Sequence, residues 1–174
     1  METENRMEHF SIGAWIRKIV ASVGGIGYLP ASGTFASAAT VALLWFTDQK
    51  LPVMRSPGGA LMYWVGVMAV IAFSFFFSSR SRELFGKEDS GKIVIDEVAG
   101  QLITFMFVPL TYRTLILGFF LFRFFDIVKP YPVYRMEELD DGVGVTMDDV
   151  AAGVMANLSL LGILFVYHAV KSYL

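Results

Sequence analysis

The 174-residue sequence has no cysteine and only two histidines, His9 and His168. The absence of cysteine excludes disulfides, thiolate metal sites and cysteine-nucleophile chemistry. Charged residues are also scarce, at 17% of the chain, and the net charge of −2 provides no electrostatic basis for binding nucleic acid. The N-terminus carries acidic residues before its first apolar ones and has no small-residue cleavage site, so we do not expect a cleaved signal peptide.

Apolar residues are abundant, at 55% of the chain, and the mean hydropathy is +0.57. A soluble core of this size needs less apolar material, and the remaining surface could not stay in water. The length fits one domain. We therefore expect a single domain over residues 1–174, folded as an all-α, polytopic bundle of membrane helices.

The N-terminal region predicts a helix of a different kind. From Met7 to Gly24, apolar side chains at helical spacing are mixed with Arg17 and Lys18, which is typical of an amphipathic helix lying in the membrane interface. An ordinary N-terminal core helix is the alternative. The glycine- and proline-rich residues that follow, up to Thr34, predict an ordered loop.

Five apolar runs follow, and each predicts a membrane-spanning helix, although several are short for a bilayer core of about 30 Å. They cover approximately Thr34–Phe46, Ala60–Ser78, Ile93–Leu110, Thr114–Val128 and Asp148–Tyr173. The first is rich in small residues, which let helices approach closely. Residues 131–147 predict a polar loop between the last two.

Basic residues divide unequally between the two sides of this arrangement. With a cytoplasmic N-terminus, four lie outside, namely Lys50, Arg55, Arg113 and Lys171, and ten lie inside. The ten are Arg6, Arg17, Lys18, Arg80, Arg82, Lys87, Lys92, Arg123, Lys129 and Arg135. This agrees with the positive-inside tendency. The same assignment places every polar motif described below on the cytoplasmic face of the membrane.

The first motif, Pro30–Ser37, is a loop that passes into a helix. Gly33, Thr34 and Ser37 offer backbone N–H groups and hydroxyls at the helix start, where the helix dipole favours an anion such as phosphate. The same residues equally suit an ordinary cap followed by small residues for packing.

The second motif, Ile95–Gln101, places Asp96 and Glu97 at the start of an apolar helix. Acidic residues there can simply complement the helix dipole. Gly100 and Gln101 lie one turn further on the same side, so Glu97 begins a small, polar stripe. Such a stripe on a membrane helix faces protein or water and is a candidate functional site.

The third motif spaces Arg123, Asp126 and Lys129 three residues apart, on one face of a helix that Pro130 terminates. One interpretation is a structural ladder of ion pairs. The other has Asp126 on a metal ion, with Arg123 and Lys129 available to phosphate oxygens.

In the fourth motif, Asp148 and Asp149 follow a glycine-rich approach and begin a long apolar helix. One acidic residue would suffice as a cap, so two favour a divalent-cation site. Adjacent residues on a helix point about 100° apart, so we expect one to coordinate metal and the other to orient or cap. The sequence does not distinguish them.

Together the motifs bring carboxylates from three helices to one face of the membrane, beside basic side chains and a helix start. Hard oxygen ligands select Mg²⁺ or Mn²⁺ over softer metals. A divalent ion with basic groups supplies the charge stabilisation and the activated water that phosphoryl chemistry requires.

The four motifs, in this order, resemble the phosphatidylglycerophosphatase A family. The family pattern is G-x-G-x-x-P…G-T, then D-E-x-x-G, then F-R-x-F-D-x-x-K-P-x-P, then G-x-G-x-x-x-D-D-x-x-A-G. Here the motifs are GIGYLPASGT, DEVAG, FRFFDIVKPYP and GVGVTMDDVAAG, between about Gly25 and Gly153. Members more often carry proline where Ser32 stands and glycine where Ala36 stands, but the hydroxyls and the helix start are kept.

The resemblance implies an Mg²⁺-dependent enzyme of phospholipid synthesis that hydrolyses phosphatidylglycerophosphate to phosphatidylglycerol and inorganic phosphate, at the cytoplasmic face of the bacterial inner membrane. On this basis we predict Glu97, Asp126 and Asp148 as metal ligands. The predicted catalytic residues are Asp96, Arg123, Lys129 and Asp149, and the predicted substrate-binding residues are Gly33, Thr34 and Ser37. A metal-activated water is the expected nucleophile, and a covalent aspartyl-phosphate is the minor alternative. The oligomeric state is left open.

Other chemistries fit these residues less well. A two-histidine lipid phosphatase would need His9 and His168 beside the motifs. A CDP-alcohol transferase would need D-x-x-D-G-x-x-A-R, of which residues 140–142 are only a fragment. A small cation transporter would carry acidic residues near the bilayer midplane, whereas these stand at helix ends beside Arg123 and Lys129. Such a transporter, or a non-catalytic membrane protein, is the alternative function.

Overall fold

The computed structural model describes residues 12–51, 57–78, 85–86, 91–139 and 143–173, and these ranges contain seven α-helices and no strand. The helices are α1 (Ile12–Ala21), α2 (Ser32–Lys50), α3 (Pro57–Ser78), α4 (Ile95–Thr104), α5 (Tyr112–Val128), α6 (Val133–Glu137) and α7 (Val143–Tyr173). The all-α class is thus confirmed for this part of the chain. Outside it lie residues 7–11 of the predicted first helix, His9, Asp140, Asp141, Gly142, Arg6, Arg55, Arg80, Arg82 and Lys87.

Five segments cross the bundle from end to end in alternating directions: α2, α3, α4 with the residues after it, α5 and α7. At one end, Gly33 of α2 lies against Glu97 of α4, and the hydroxyls of Ser74 in α3 and Thr146 in α7 are 2.9 Å apart. At the other end, α2, α3 and residues 105–111 line a cavity of about 510 Å³. The starts of α2, α4 and α7 therefore share one end of the bundle.

Two helices within the described residues are long and apolar enough to cross a membrane, Gly58–Ser78 in α3 and Val143–Tyr173, which is α7. Their most apolar stretches are largely exposed rather than packed inside the protein. Large apolar side chains such as Phe46 and Phe120 also cover the outer faces of α2 and α5. Soluble monomers rarely expose so much contiguous apolar surface. The count of five membrane spans stays a prediction.

The N-terminal helix is present as α1, and its apolar side faces outward. Trp15 and Ile16 are well exposed, whereas the ammonium group of Lys18 lies over the ring of Phe85 at 6.0 Å. An outward apolar face suits contact with lipid. Its position in a membrane interface stays a prediction.

α4 is shorter than the sequence predicts. The third apolar run predicted one long helix, but α4 ends at Thr104, because Phe107 takes a left-handed φ of 61° and Pro109 has no N–H to donate. The side-chain amide of Asn157 donates to the carbonyls of Thr104 and Met106, at 2.9 and 2.8 Å. These bonds replace lost helical ones. The prediction was therefore wrong for the second half of this run.

Helical structure extends further than predicted at three other places. α2 continues to Lys50, and a 3₁₀ turn at Ile26–Tyr28 lies within the predicted loop. α6 and the first turn of α7 occupy much of the predicted polar loop 131–147. α6 is held by Val133, which is fully buried in a cluster with Phe122 of α5 and Ala152 of α7.

α4 and α7 pack backbone to backbone where two glycines meet. A Cβ on Gly153 would overlap the carbonyl oxygen of Gly100, and a Cβ on Gly100 would lie 2.5 Å from both the carbonyl oxygen of Asp149 and the ring of Phe122. Only glycine fits at both positions. Because Gly100 follows Asp96 by one turn and Gly153 follows Asp149 by one turn, this contact brings the carboxylates of the two helices together.

Candidate active site

Three carboxylates meet between the first turn of α4 and the second turn of α7. One oxygen from each of Asp96, Glu97 and Asp149 lies within 4.8 Å of the other two. Asp96 and Asp149 are buried, and among the described residues Glu97 Oε2 and Asp149 Oδ1 have no hydrogen-bond partner. Clustering buried, unpaired anions is unfavourable by itself. The donors are all hard oxygens, so the cluster fits a divalent cation such as Mg²⁺.

This cluster differs in part from the predicted ligand set. It contains Glu97, predicted as a ligand, together with Asp96 and Asp149, which were predicted as catalytic. Asp126 and Asp148, the other two predicted ligands, each pair with a basic side chain instead. Asp126 nevertheless lies close to Asp149, at the edge of the cluster.

Arg123 connects the third motif with the first two. Its Nη1 lies 2.6 Å from Oδ2 of Asp126, so the predicted ion-pair step is present within α5. A Cβ on Gly33 would lie 3.0 Å from Nη1 of Arg123 and would overlap Oε1 of Glu97. Glycine at position 33 therefore lets the start of α2 approach both the acidic cluster and the guanidinium group.

Lys129 forms the end of α5 in a left-handed conformation, with φ 46°. This conformation is unfavourable for a residue with a side chain. The ammonium group donates to Asp148 Oδ2 at 2.7 Å and to Glu137 Oε1 at 2.6 Å. Burial opposes its charge, but these two bonds raise the pKa of Lys129 above the usual lysine value. Lys129 is thus a fixed positive charge at the edge of the site.

Asp148 and Asp149 have different surroundings. Oδ1 of Asp148 accepts a hydrogen bond from the backbone N–H of Asp149 at 2.9 Å, while its other oxygen binds Lys129. Asp149 instead faces Asp96 and Glu97. Of the two adjacent acids, Asp148 is therefore the one held by Lys129, inside α7 rather than at its N-cap, and Asp149 is the one placed for a cation.

The start of α2 lies beside these groups without a side-chain cap. Its N-cap residue, Ala31, has a left-handed backbone and makes no side-chain hydrogen bond to the helix. Thr34 is half-buried, and Ser37 is fully buried with a hydroxyl that has no partner among the described residues. First-turn N–H groups and hydroxyls in such a position suit an anion. The arrangement agrees with the substrate-binding role predicted for Gly33, Thr34 and Ser37, which stays a prediction.

Gln101 belongs to the site although the predicted site residues did not include it. It has 0% exposure, and neither atom of its amide has a hydrogen-bond partner in the described part of the chain. Gln101 lies one turn below Glu97 in α4, and Ser37 lies one turn below Gly33 in α2. Gly33 contacts Glu97, and both helices start at this end of the bundle. Ser37 and Gln101 therefore lie at about the same distance from this end, one helical turn inside it. The polar stripe on α4 was the sequence signal that could have identified Gln101 as a site residue.

Glu137 is the other residue that the sequence interpretation missed. It belongs to α6, within a segment that was predicted to be a loop, and no motif contains it. Its contact with Lys129 joins residues that are 8 apart in the sequence, across the turn after α5. No local sequence signal indicates this contact.

Comparison with known proteins agrees with this arrangement of acidic and basic residues. Residues 19–164 match the family model of phosphatidylglycerophosphatase A. The chain belongs to the phosphatidylglycerophosphatase A family. It is therefore a phosphatase that acts on a phosphoric monoester, as predicted, and the transporter and non-catalytic alternatives are set aside.

Three bacterial relatives show how far the similarity extends. Phosphatidylglycerophosphatase A of Haemophilus influenzae is 28% identical, over 94% of this chain and 97% of the relative. Phosphatidylglycerophosphatase A of Escherichia coli K12 is 31% identical, over 71% and 69%. A Bacteroides thetaiotaomicron protein, provisionally named a phosphatidylinositol-3-phosphatase, is 37% identical over 75% and 82%. No solved structure matches this chain.

Proposed function

We propose that this member of the phosphatidylglycerophosphatase A family hydrolyses phosphatidylglycerophosphate to phosphatidylglycerol and inorganic phosphate, and that the reaction depends on Mg²⁺. The observation that carries the proposal is the meeting of the Asp96, Glu97 and Asp149 carboxylates, two of them with unpaired buried oxygens, beside Arg123. The names of the Haemophilus and Escherichia relatives support the choice of substrate.

The three carboxylates would hold the cation, and Asp126 lies close enough to Asp149 to join them. When bound, the ion supplies polarisation of the phosphoryl group and activation of a water molecule. Asp148 stays with Lys129 and keeps the start of α7 in place. This division revises the predicted ligand set in two respects, since Asp149 replaces Asp148 and Asp96 is added.

The remaining residues of the site bind the phosphate group. The N-terminal turn of α2 directs N–H groups at it, and Arg123 and Lys129 balance the negative charge on its oxygens. In hydrolysis, the oxygen of water bonds to phosphorus while the bond from phosphorus to the head-group oxygen breaks and that oxygen gains a proton. The preorganised basic groups stabilise the charge that develops on the phosphoryl oxygens.

A second substrate is supported by one specific observation. The relative at 37% identity carries a phosphatidylinositol-3-phosphatase name. Phosphatidylinositol 3-phosphate and phosphatidylglycerophosphate are both lipids with a phosphate monoester on a hydroxyl-bearing head group, so one site could accept either. Phosphatidylglycerophosphate remains our first choice, because two relatives carry that activity in their names and the family model does too.

For the membrane arrangement, we propose five spans with the active site at the cytoplasmic face of the bacterial inner membrane. α2 and α5 have 19 and 17 residues, so they are about 28 and 26 Å long, close to the hydrocarbon thickness of about 30 Å. The absence of cysteine makes the test simple. A Glu138→Cys variant should react with an impermeant maleimide from the cytoplasmic side, and Lys171→Cys from the opposite side; the reverse pattern would overturn this orientation.

Phosphate release by the purified protein in mild detergent tests the reaction. We expect turnover of phosphatidylglycerophosphate with Mg²⁺, none with excess EDTA, and none for Asp149→Asn. Glu138→Gln, which changes an exposed carboxylate on the same end, should behave as wild type. Turnover that survives EDTA would overturn the metal mechanism, and release from phosphatidylinositol 3-phosphate alone would favour the second substrate.

Thermal unfolding tests cation binding without relying on activity. A bound ion stabilises the folded state, so Mg²⁺ should raise the Tm of wild type and of Glu138→Gln. It should not raise the Tm of Asp149→Asn. Without Mg²⁺, Asp149→Asn should be more stable than wild type, because one of three clustered negative charges is removed. Equal Mg²⁺-dependent shifts in both variants would show that the cation binds elsewhere.

A further inference from the structure

A groove lies between α2 and α5 on the outer surface of the bundle. Its volume is about 350 Å³, which is within the usual range of small-molecule sites. α2 contributes Ala38, Ala42 and Trp45, and α5 contributes Phe119 and Phe120 among others. Apart from the hydroxyl of Tyr112 and the indole N–H of Trp45, its lining side chains are hydrocarbon.

The groove adjoins the candidate active site because α2 and α5, which form the groove, also contribute Gly33 and Arg123 to the site. Ser37 immediately precedes Ala38 in α2, and Arg123 follows Phe120 by one turn of α5. From Ala38 to Trp45 the helix advances about 10 Å, at about 1.5 Å per residue. The groove therefore runs from near the phosphate-binding end of the bundle toward the opposite end, where α5 begins at Tyr112.

Small side chains on α2 create the groove. Ala38 and Ala42 are one turn apart, on the exposed side of the helix, whereas Ala36, Ser37 and Thr40 are buried inside the bundle. The sequence predicted that small residues bring helices close together. On the exposed side of α2 they leave open space beside α5 instead.

We propose that this groove binds one acyl chain of the lipid substrate while the head-group phosphate occupies the carboxylate site. The inference rests on the proposed function. Phosphate and acyl chains belong to one molecule, so a substrate whose phosphate reaches Glu97 and Arg123 must place its chains along the apolar surface nearby. The groove is a recess in that surface, on the two helices that carry Gly33 and Arg123.

A matched pair of substitutions on α2 tests the proposal. Ala42→Phe fills the groove, whereas Ala39→Phe adds the same side chain at an exposed position that does not line it. The substrates are dioleoyl and dihexanoyl phosphatidylglycerophosphate in the same detergent. For Ala42→Phe we expect the KM for the dioleoyl lipid to rise by about tenfold or more, with kcat little changed, because chain binding is equal in the ground and transition states.

Ala39→Phe should have the KM and kcat of wild type with both lipids. With the dihexanoyl lipid, wild type and both variants should have the same KM and kcat. The same KM for Ala42→Phe and Ala39→Phe with the dioleoyl lipid would overturn the groove proposal and leave the proposed function intact. Failure of wild type to hydrolyse either lipid would overturn both. A change of oligomeric state in Ala42→Phe alone, measured by light scattering, would instead assign the groove to contact between copies of the chain.

Fluorescence of Trp45 provides a second measurement that does not require Ala42→Phe to fold. In a Trp15→Phe/Trp64→Phe protein, Trp45 is the sole tryptophan, and it lines the groove. In rapid mixing with Mg²⁺, at times before the lipid is turned over, phosphatidylglycerophosphate with brominated chains should quench Trp45 at a lower mole fraction than phosphatidylcholine with the same chains. Equal quenching by the two lipids would show that bulk lipid fills the groove and would overturn the proposal.

Discussion

Gly153 of α7 lies against the carbonyl group of Gly100 in α4, so closely that neither position has room for a side chain. One turn before each glycine stands a buried carboxylate of the candidate site, Asp149 on α7 and Asp96 on α4. The separation of the two helices at this contact therefore sets the separation of the carboxylates. Both glycines belong to motifs of this sequence that resemble the family pattern, DEVAG and GVGVTMDDVAAG.

Gly153→Ala should force α4 and α7 apart. The added methyl group meets backbone atoms of Gly100, which cannot rotate away, so we expect a cost of about 1–3 kcal/mol, as for other overpacked cores. Tm and kcat should both fall, because Asp149 moves away from Asp96. Gly162→Ala is the control in the same helix, since open space surrounds Gly162, and it should keep activity without losing stability. Identical behaviour of the two variants in thermal unfolding and phosphate release would contradict this account.

Lys129→Met should destabilise the protein by leaving Asp148 buried without its cation. Breaking a buried pair costs about 3–5 kcal/mol, and we expect less here because Lys129 is partly exposed. A Lys129→Met/Asp148→Asn protein should regain most of the lost stability but not the activity, since the positive charge near the phosphate is still absent. If the single and double variants have the same Tm, the pair does not stabilise the fold.

The pH dependence of that effect follows from the direction of the Lys129 pKa shift. The folded-state pKa lies above the unfolded value of about 10.4, so the stabilisation is fully present below the unfolded pKa and is lost as pH rises through the folded one. The difference in free energy of unfolding between wild type and Lys129→Met should therefore be constant from about pH 8 to 10. Denaturant titrations at several pH values measure it, and a difference that stays constant as pH rises well above the unfolded pKa would mean that the pKa of Lys129 is not raised in the folded state.

Gln101→Met should raise stability and lower activity together. A buried amide without partners costs about 1–3 kcal/mol, and methionine has nearly the same shape without the polar atoms. Opposite changes in Tm and kcat are expected of a residue retained for function. Leu102→Met, one residue further along α4, is the control and should change neither quantity by much. A more stable Gln101→Met enzyme with full activity would assign Gln101 to packing alone.

Asn157→Leu should loosen the C-terminal end of α4. The substitution leaves the carbonyls of Thr104 and Met106 without the donors that the structure shows, at a cost of about 1–3 kcal/mol. We expect a lower Tm and faster amide hydrogen exchange around residues 104–108. Ser159→Ala is the control, because the hydroxyl of Ser159 bonds only to its own helix at Met155. Unchanged exchange in Asn157→Leu would mean that the end of α4 is held by packing.

The sequence predicted which acidic residues belong to the site, but it did not predict all of their contacts correctly. Arg123 and Asp126 are three apart in one helix, so their ion pair could be proposed from spacing alone. Lys129 and Asp148 are 19 apart and meet only because α6 turns the chain back toward α7. Which of two adjacent acids faces α4 depends on how the helices cross. That crossing is determined by glycine contacts, which a periodicity argument does not reveal.

The length of α4 is a second case in which local reasoning failed. Hydropathy counts apolar residues and therefore predicted a helix through Leu110. The break at Phe107 is stabilised by Asn157, 53 residues away from Thr104 in the sequence, and by the hydroxyl of Tyr63, which donates to the carbonyl of Leu102 at 2.6 Å. A broken helix is stable only where other elements satisfy its backbone, and the sequence of α4 contains no information about them.

The shared end of α2, α4 and α7 has a consequence for charge balance. Three carboxylates contribute about −3, and a divalent ion would reduce this to about −1. The N-termini of α2 and α4 contribute about +0.5 each, or about +1 in total, whereas α7 begins more than one turn before Asp149 and adds little there. The site with its cation is therefore nearly neutral, so it could accept an anionic head group without strong repulsion. Without the cation, the same end of the bundle would repel that head group, so we expect the cation to bind first and the lipid second.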